Sequence, residues 1–365
     1  MQRRRFLKGV GAGAVVAGAA ACGSERQGGT DSGAQQRFSW KMVTTWPPGL
    51  PGLGTGAQDL ADAIQRNSGG RIQIQFYAAG ELVPPLEVFD AVSTGTAEMG
   101  HGAAYYWKGK SEAAQFFATV PFGMNAVEMN AWLYYGGGWE LWREIYAPFG
   151  VVPFPAGNSG TQMGGWFNKE INSLDDLVGL KMRIPGLGGE VLKRVGVTPV
   201  NVPASELFTA LETGTIDATE WVGPYNDLAL GLFRAASYYY YPGWHEPGPT
   251  LECIVNRAAW ESLPDDLQGI VESACAQVNV RMQSEFMARN QDSLAVLMKE
   301  HGITPRPFPD EVLRELRRVT DVVLDERSAA DADFKRVRDA YKAYQAKMAT
   351  WQNMAEMAYH RSLSL

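Results

Sequence analysis

Cysteine and histidine are scarce in this chain, with three and four respectively among 365 residues. No two histidines have the spacing of a zinc site, and no serine elbow or phosphate loop is present, so the common hydrolase and nucleotide motifs are missing. Basic residues are outnumbered: 33 Lys and Arg face 40 Asp and Glu, a net charge of −7. That balance excludes a nucleic-acid groove or a polybasic membrane patch, and requires any anion site to concentrate positive charge locally. Long hydrophobic runs are lacking too. The apolar stretch from Gly9 to Ala21 is short and built from glycine and alanine, which does not suit a transmembrane helix. What remains is an ordinary globular composition, 45% hydrophobic and 20% charged, long enough for two lobes.

The first 36 residues read as an address and a tether. Arg3-Arg4-Arg5-Phe6-Leu7-Lys8 has the arrangement of a twin-arginine export signal. Ala19-Ala20-Ala21-Cys22 has the small residues of a lipoprotein cleavage box, without the usual leucine three residues before the cysteine; a lipid anchor at Cys22 is the expectation. Gly23–Gln36 is rich in Gly, Ser and Gln, as a disordered tether would be. Cys253 falls in a strand pattern and Cys275 in a helical one, which predicts two free thiols rather than a disulfide.

From Phe38 onward the periodicity alternates between two and 3.6. Strands are predicted at Phe38–Thr44, Ile72–Phe76, Gly150–Pro155, Leu180–Ile184, Thr198–Val202, Gly214–Trp221 and Tyr238–Tyr241. Helices are predicted at Gln58–Arg66, Pro85–Val92, Val127–Tyr146 with a glycine interruption, Gly189–Val195 and Ala204–Glu212, and another begins at Pro224. Ser173-Leu174-Asp175-Asp176-Leu177 reads as a capped helical turn. Met99–Trp107 reads as a glycine-rich loop whose aromatics either wall a pocket or simply pack, with His101 structural, and Ala156–Gly160 as a flexible link between lobes. This order indicates an α/β protein with parallel strands.

The central stretch is Leu180-Lys181-Met182-Arg183-Ile184-Pro185-Gly186. Period two puts Lys181 and Arg183 on one face, and Pro185 and Gly186 end the strand, so Arg183 sits at a strand-to-loop edge. Its planar fork of N–H donors suits a carboxylate, although position alone favours an exposed arginine in a surface salt bridge. Glu220 and Glu246 also fall at strand-to-loop ends. They fit a carboxylate pair for hydrolysis, hard oxygen ligands for Na⁺ or Ca²⁺ with Gln162, or unrelated surface groups; spacing does not choose among the three.

Four segments together resemble the extracytoplasmic solute receptors of tripartite ATP-independent periplasmic (TRAP) transporters. They are Gly80-Glu81-Leu82, Leu174–Leu177 with Gly179–Pro185, Glu212–Trp221, and Pro242–Gly248. The Glu220-Trp221 pair and the His245-Glu246 loop point to the branch that binds 2-oxo or 2-hydroxy monocarboxylates. The resemblance implies a two-lobed periplasmic-binding-protein fold with hinge strands and a long C-terminal helix, and no catalysis. It implies that Arg183 grips the ligand carboxylate, aided by Tyr105 or Tyr106 and by Asn158. It also implies a metal ion, Na⁺ or Ca²⁺, held by Gln162, Glu220, the Trp221 carbonyl and Glu246, with Gln162 and Glu246 facing the ligand as well. Two glutamates beside an anion would repel it unless a cation lay between. The implied partners are a small organic acid, such as a pyruvate-like 2-oxo acid or lactate, and the TRAP permease subunits; the implied location is the periplasm or the outer face of the membrane.

The expected organisation is 1–36 signal and tether, 37–160 with 249–292 as the first lobe, 161–248 with 293–320 as the second, and 321–365 as a dimerisation helix. Phe334, Val337, Tyr341, Tyr344, Met348, Trp351, Ala355 and Ala358 are spaced three and four apart, a narrow seam that wants a partner helix. Dimers that exchange such a helix are what the resemblance implies. The alternatives are a receptor for a longer or aromatic organic anion, and an exported hydrolase using the two glutamates.

Overall fold

The computed structural model describes residues 36–365. The export signal, the Cys22 box and nearly all of the tether lie outside the described residues. Among the described residues, no helix is long and apolar enough to cross a membrane.

Among the described residues, eleven strands form two sheets. In chain order they are β1 (Phe38–Thr44), β2 (Ile72–Tyr77), β3 (Met99–Gly102), β4 (Val151–Asn158), β5 (Gly165–Phe167), β6 (Lys181–Arg183), β7 (Thr198–Val200), β8 (Ala218–Thr219), β9 (Tyr238–Tyr241), β10 (Thr250–Asn256) and β11 (Arg306–Pro307). The first sheet has the order β2-β1-β3-β10-β4, and the second β11-β9-β5-β8-β6-β7. Each sheet anchors one lobe. Within the first, β1 runs parallel to β2 and β3, as the intervening helices require, whereas β10 returns antiparallel to β3 and β4. The chain passes to the second sheet after β4 and comes back through β10. A third passage, through the helix Asp265–Lys299, returns the chain to β11 of the second sheet.

Several expected elements take a different form. Met99–Gly102 is a strand rather than a loop. Its glycines are there for packing: a Cβ on Gly100 would lie 2.8 Å from Val88 and 2.9 Å from Val92, and one on Gly102 would lie 2.9 Å from Trp107. The aromatic part of that stretch, Ala104–Trp107, is a short 3₁₀ turn. Ala156–Asn158 is not a flexible link but the buried end of β4, paired with β10. Gly214–Trp221 contributes only the two residues of β8, because Gly214 turns the chain at φ 70°. The helix after Arg183 begins at Gly186, not at Gly189.

The C-terminal region is three helices, Asp310–Ala330, Ala332–Met354 and Glu356–Ser362, instead of one helix from residue 321. Asp331 leaves the helical conformation and caps the next helix, its carboxylate accepting the Phe334 N–H at 2.8 Å. The expected seam divides in the middle. Phe334, Val337 and Tyr341 are buried in their own chain, with Phe334 and Tyr341 against Phe116 and Tyr341 edge-on to Trp132. From Trp351 onward the chain is exposed apart from the half-buried Gln352 and Ala355. A stripe at this spacing packs against whatever apolar surface is nearest, and here the lobe supplies it for the first three positions. Cys253 and Cys275 are buried free thiols, as expected.

A buried carboxyl braces the 3₁₀ turn. Glu252 on β10 accepts the Trp107 indole N–H and, at 2.9 Å, the Tyr146 hydroxyl. Burial raises its pKa to about 8. Trp107 is thereby held, and with it the turn that presents Tyr105 and Tyr106 to the cleft.

Candidate functional site

Arg183 ends β6, whose neighbours β8 and β7 carry Glu220 and Val202 just past their own ends. Lys181 and Arg183 share a face of the strand, but Lys181 is exposed while Arg183, at the strand's end, is only 1% exposed, because the cleft residues cover it there. This is no surface arginine. Its Nε donates to the Val202 carbonyl at 3.3 Å and its Nη1 to the Glu220 carbonyl at 3.3 Å. Nη1 also pairs with the Glu220 carboxylate, and Nη2 donates to the Tyr106 hydroxyl at 3.3 Å. Four of the five guanidinium N–H groups are therefore engaged and one on Nη2 is left. The Trp221 ring covers the guanidinium, with the centroid 4.8 Å from Cζ. Burial works against the charged form, but Glu220 and the two tyrosines outweigh it and keep Arg183 protonated.

Beside this pair lies a second carboxylate. Glu220, His245 and Glu246 are all buried, and each has a ligand-type atom within 4.8 Å of the others. His245 Nε2 sits 3.4 Å from the second Glu220 oxygen. Glu246 is held well above the usual carboxylate range, first by burial and then by the Glu220 charge; Arg183, Tyr105 and Gln162 pull it the other way. The backbone fixes Gln162 against this loop: its N–H donates to the Glu246 carbonyl at 3.1 Å, and Gly243 N–H donates to the Gln162 carbonyl at 2.8 Å. Its side-chain amide donates to Ser159 at 3.0 Å, while the amide oxygen has no hydrogen-bond partner.

Three atoms here are buried without a hydrogen-bond partner: the Gln162 amide oxygen, one Glu246 carboxylate oxygen and His245 Nδ1. Such atoms are costly unless something satisfies them. Two carboxylates and an amide oxygen form a hard donor set, so Glu220, Glu246 and Gln162 fit a Na⁺ or Ca²⁺ ion. Trp221 follows Glu220 directly, which places its carbonyl one peptide away. A single cation would neutralise the repulsion between the glutamates and satisfy the orphaned oxygens together.

A cavity of about 10 Å³, enough for roughly one water centre, lies between the lobes. Trp46, Tyr105, Tyr106, Gln162, Arg183 and Trp221 are among its walls. Tyr105, Tyr106, Gln162 and Arg183 thus meet as the sequence led one to expect, with Glu220 and Glu246 next to them. Asn158 does not line the cavity. Its amide donates to the Gly248 carbonyl at 3.1 Å and accepts the Gly160 N–H at 2.8 Å, which fixes the passage between the lobes. Three residues escaped the sequence reading in this role. Trp46 belongs to a Pro-Gly turn with no site signal. Val202 acts through its carbonyl, which its side chain does not announce. His245 stands next to Glu246 in a quoted segment, but a lone histidine is no ion signal.

Comparison with known proteins agrees with this architecture. Residues 42–331 match the family model described as bacterial extracellular solute-binding protein, family 7 (DctP). A monocarboxylate 2-oxoacid-binding periplasmic protein of Nostoc sp. PCC 7120 is 43% identical over 364 residues, covering 100% of this chain and 99% of that one. A TRAP periplasmic solute-binding protein of Pseudoalteromonas atlantica, solved with bound sodium and pyruvate, superposes with a TM-score of 0.87 at 44% identity over 90% of this chain and 99% of that one. A TRAP solute-binding protein of Bordetella bronchiseptica, a mixed-occupancy dimer with copurified calcium and picolinate in one site, gives a TM-score of 0.88 at 39% identity over 90% of this chain and 97% of that one. With the match covering well over half of the chain, this protein belongs to the family-7 bacterial extracellular solute-binding proteins.

Proposed function

We propose that this chain is the periplasmic receptor of a TRAP transporter, capturing a small 2-oxo acid of pyruvate type, or a 2-hydroxy acid such as lactate, for a membrane permease. The observation that carries the reading is a fully buried arginine beside two buried carboxylates at a cleft between two lobes. No bond is made or broken: the site binds. Arg183 offers the ligand carboxylate its free N–H and whatever Glu220 releases, while the Tyr106 hydroxyl orients the guanidinium. Gln162, Glu220, Glu246 and the Trp221 carbonyl hold a Na⁺ or Ca²⁺ ion, which supplies positive charge to the ligand oxygens. Sodium with pyruvate and calcium with picolinate in relatives support that class of ion and acid. A second reading, an aromatic acid, draws on the ring-lined walls of the cavity, Trp46, Tyr105, Tyr106 and Trp221. Native mass spectrometry of the purified protein, followed by calorimetric titration with pyruvate, lactate and picolinate, separates the two. Turnover of any of these acids, or failure to bind all of them, would overturn both.

We assign 37–160 with 249–292 to one lobe and 161–248 with 293–320 to the other, a division supported by the membership of the two sheets. Export through the twin-arginine signal, with a lipid anchor at Cys22, is part of the same proposal, as is a homodimer built on the C-terminal helices. Support for the dimer comes from the exposed large apolar residues Trp351, Met354, Met357, Tyr359 and Leu363. Truncation after Lys347 keeps Phe334, Val337 and Tyr341 in place and removes only the exposed part. The expected product is a monomer with parental acid affinity, read by analytical ultracentrifugation; a truncated dimer would place the interface elsewhere. Truncation after Ala330, by contrast, uncovers the aromatic cluster at Phe116 and Trp132 and lowers Tm.

A further inference from the structure

We infer that the turn Val120–Ala126 is a clasp that positions the His245–Glu246 loop, with Phe122 as its positioning residue and the helix Ala332–Met354 as its support. Phe122 has φ 55°, the one non-glycine residue in the left-handed region among the described residues. For a bulky aromatic side chain this conformation is unfavourable, and it persists where surrounding contacts over-determine it. The contacts are on both sides of the turn.

On the site side, the Phe122 N–H donates to the Trp244 carbonyl at 2.7 Å, and the two rings lie 5.6 Å apart. Trp244 immediately precedes His245 and Glu246. At the far end of the same loop, Gly248 lies so close to the turn that a Cβ would sit 2.2 Å from the Ala126 nitrogen. The loop is thus gripped before and after the two residues that complete the Glu220 group.

On the other side, the Tyr341 hydroxyl accepts the Met124 N–H at 2.6 Å. Gln345 donates to the Phe122 carbonyl at 3.3 Å, and Gly123 has no room for a Cβ against the Tyr341 hydroxyl. The Arg317 guanidinium lies over the Phe122 ring, 5.4 Å from its centroid. A continuous set of contacts therefore runs from the helix Ala332–Met354, through a backbone-strained turn, to the loop bearing His245 and Glu246. Groups that orient ligating side chains without touching the ion typically alter affinity by about 10- to 100-fold when removed.

The test compares Phe122→Ala, Tyr341→Phe and the conservative Phe122→Tyr, which keeps the ring; Phe122 lines a roughly 70 Å³ cavity beside the turn. Two readouts are used: hydrogen exchange of amides 242–248, and Ca²⁺ affinity by calorimetry. The second rests on the proposed ion site; the first does not. Phe122→Ala is expected to raise exchange across 242–248 by about tenfold without changing β1 to β3, and to weaken Ca²⁺ by about tenfold. Phe122→Tyr keeps both at the parental level, and Tyr341→Phe shifts both in the same direction as Phe122→Ala. Unchanged loop exchange, or a rise spread evenly over both sheets, would overturn the clasp. Loosened loop exchange in a protein whose parent takes up no Ca²⁺ would support the clasp and overturn the ion site.

Discussion

Arg183→Lys removes most of the acid affinity. The guanidinium of Arg183 reaches the Val202 carbonyl, the Glu220 carbonyl, the Glu220 carboxylate and the Tyr106 hydroxyl from one rigid plane, and still has an N–H to spare. An ammonium group has three donors at a single point and cannot satisfy these directions while holding a ligand. By analogy with buried charge pairs at interfaces, the loss should be on the order of 2–5 kcal/mol. Calorimetric titration with pyruvate measures it. An affinity within about threefold of the parent, less than 1 kcal/mol, would remove Arg183 from the ligand site.

Glu220→Gln gives a result with two signs. In the parent, the Glu220 carboxylate occupies Arg183, so it competes with the acid for the same guanidinium. The amide is a weaker acceptor with no charge. In protein stripped by a chelator and held in choline buffer, the variant should therefore bind acid more tightly than the parent does. With Na⁺ or Ca²⁺ restored, the order reverses, because the parent gains from the cation and the variant has lost a ligand charge. Coupling between two sites typically corresponds to about 5- to 150-fold in affinity, and must be reciprocal. The parent's acid affinity should rise with added ion by a factor in that range, and its ion affinity with added acid by the same factor. Equal acid affinities in choline, Na⁺ and Ca²⁺ would leave Glu220 and Glu246 as structural groups.

Local patterns made some of this visible in advance. Phe38–Thr44, Ala204–Glu212 and Tyr238–Tyr241 have the bounds read from the sequence; for the four tyrosines the signal is aromatic composition before Pro242-Gly243, not periodicity. The C-terminal stripe was visible as a stripe, but spacing says nothing of what covers it. The lobe took Phe334, Val337 and Tyr341 and left Trp351 outside.

By itself the sequence determined the α/β class, the position of Arg183 at a strand end, and a set of candidate donors in Gln162, Glu220 and Glu246. These follow from alternation, from residues that stop a strand, and from side-chain chemistry, all of which act over a few residues. Only the tertiary structure decided that Arg183 is buried and already paired, that His245 joins the two glutamates, and that Asn158 serves the passage between the lobes. It also decided that Gly100 and Gly102 belong to a strand. The reason is common to all four: burial, pairing and the room for a Cβ depend on atoms brought together from segments far apart in the chain, whereas sequence patterns report only on neighbours.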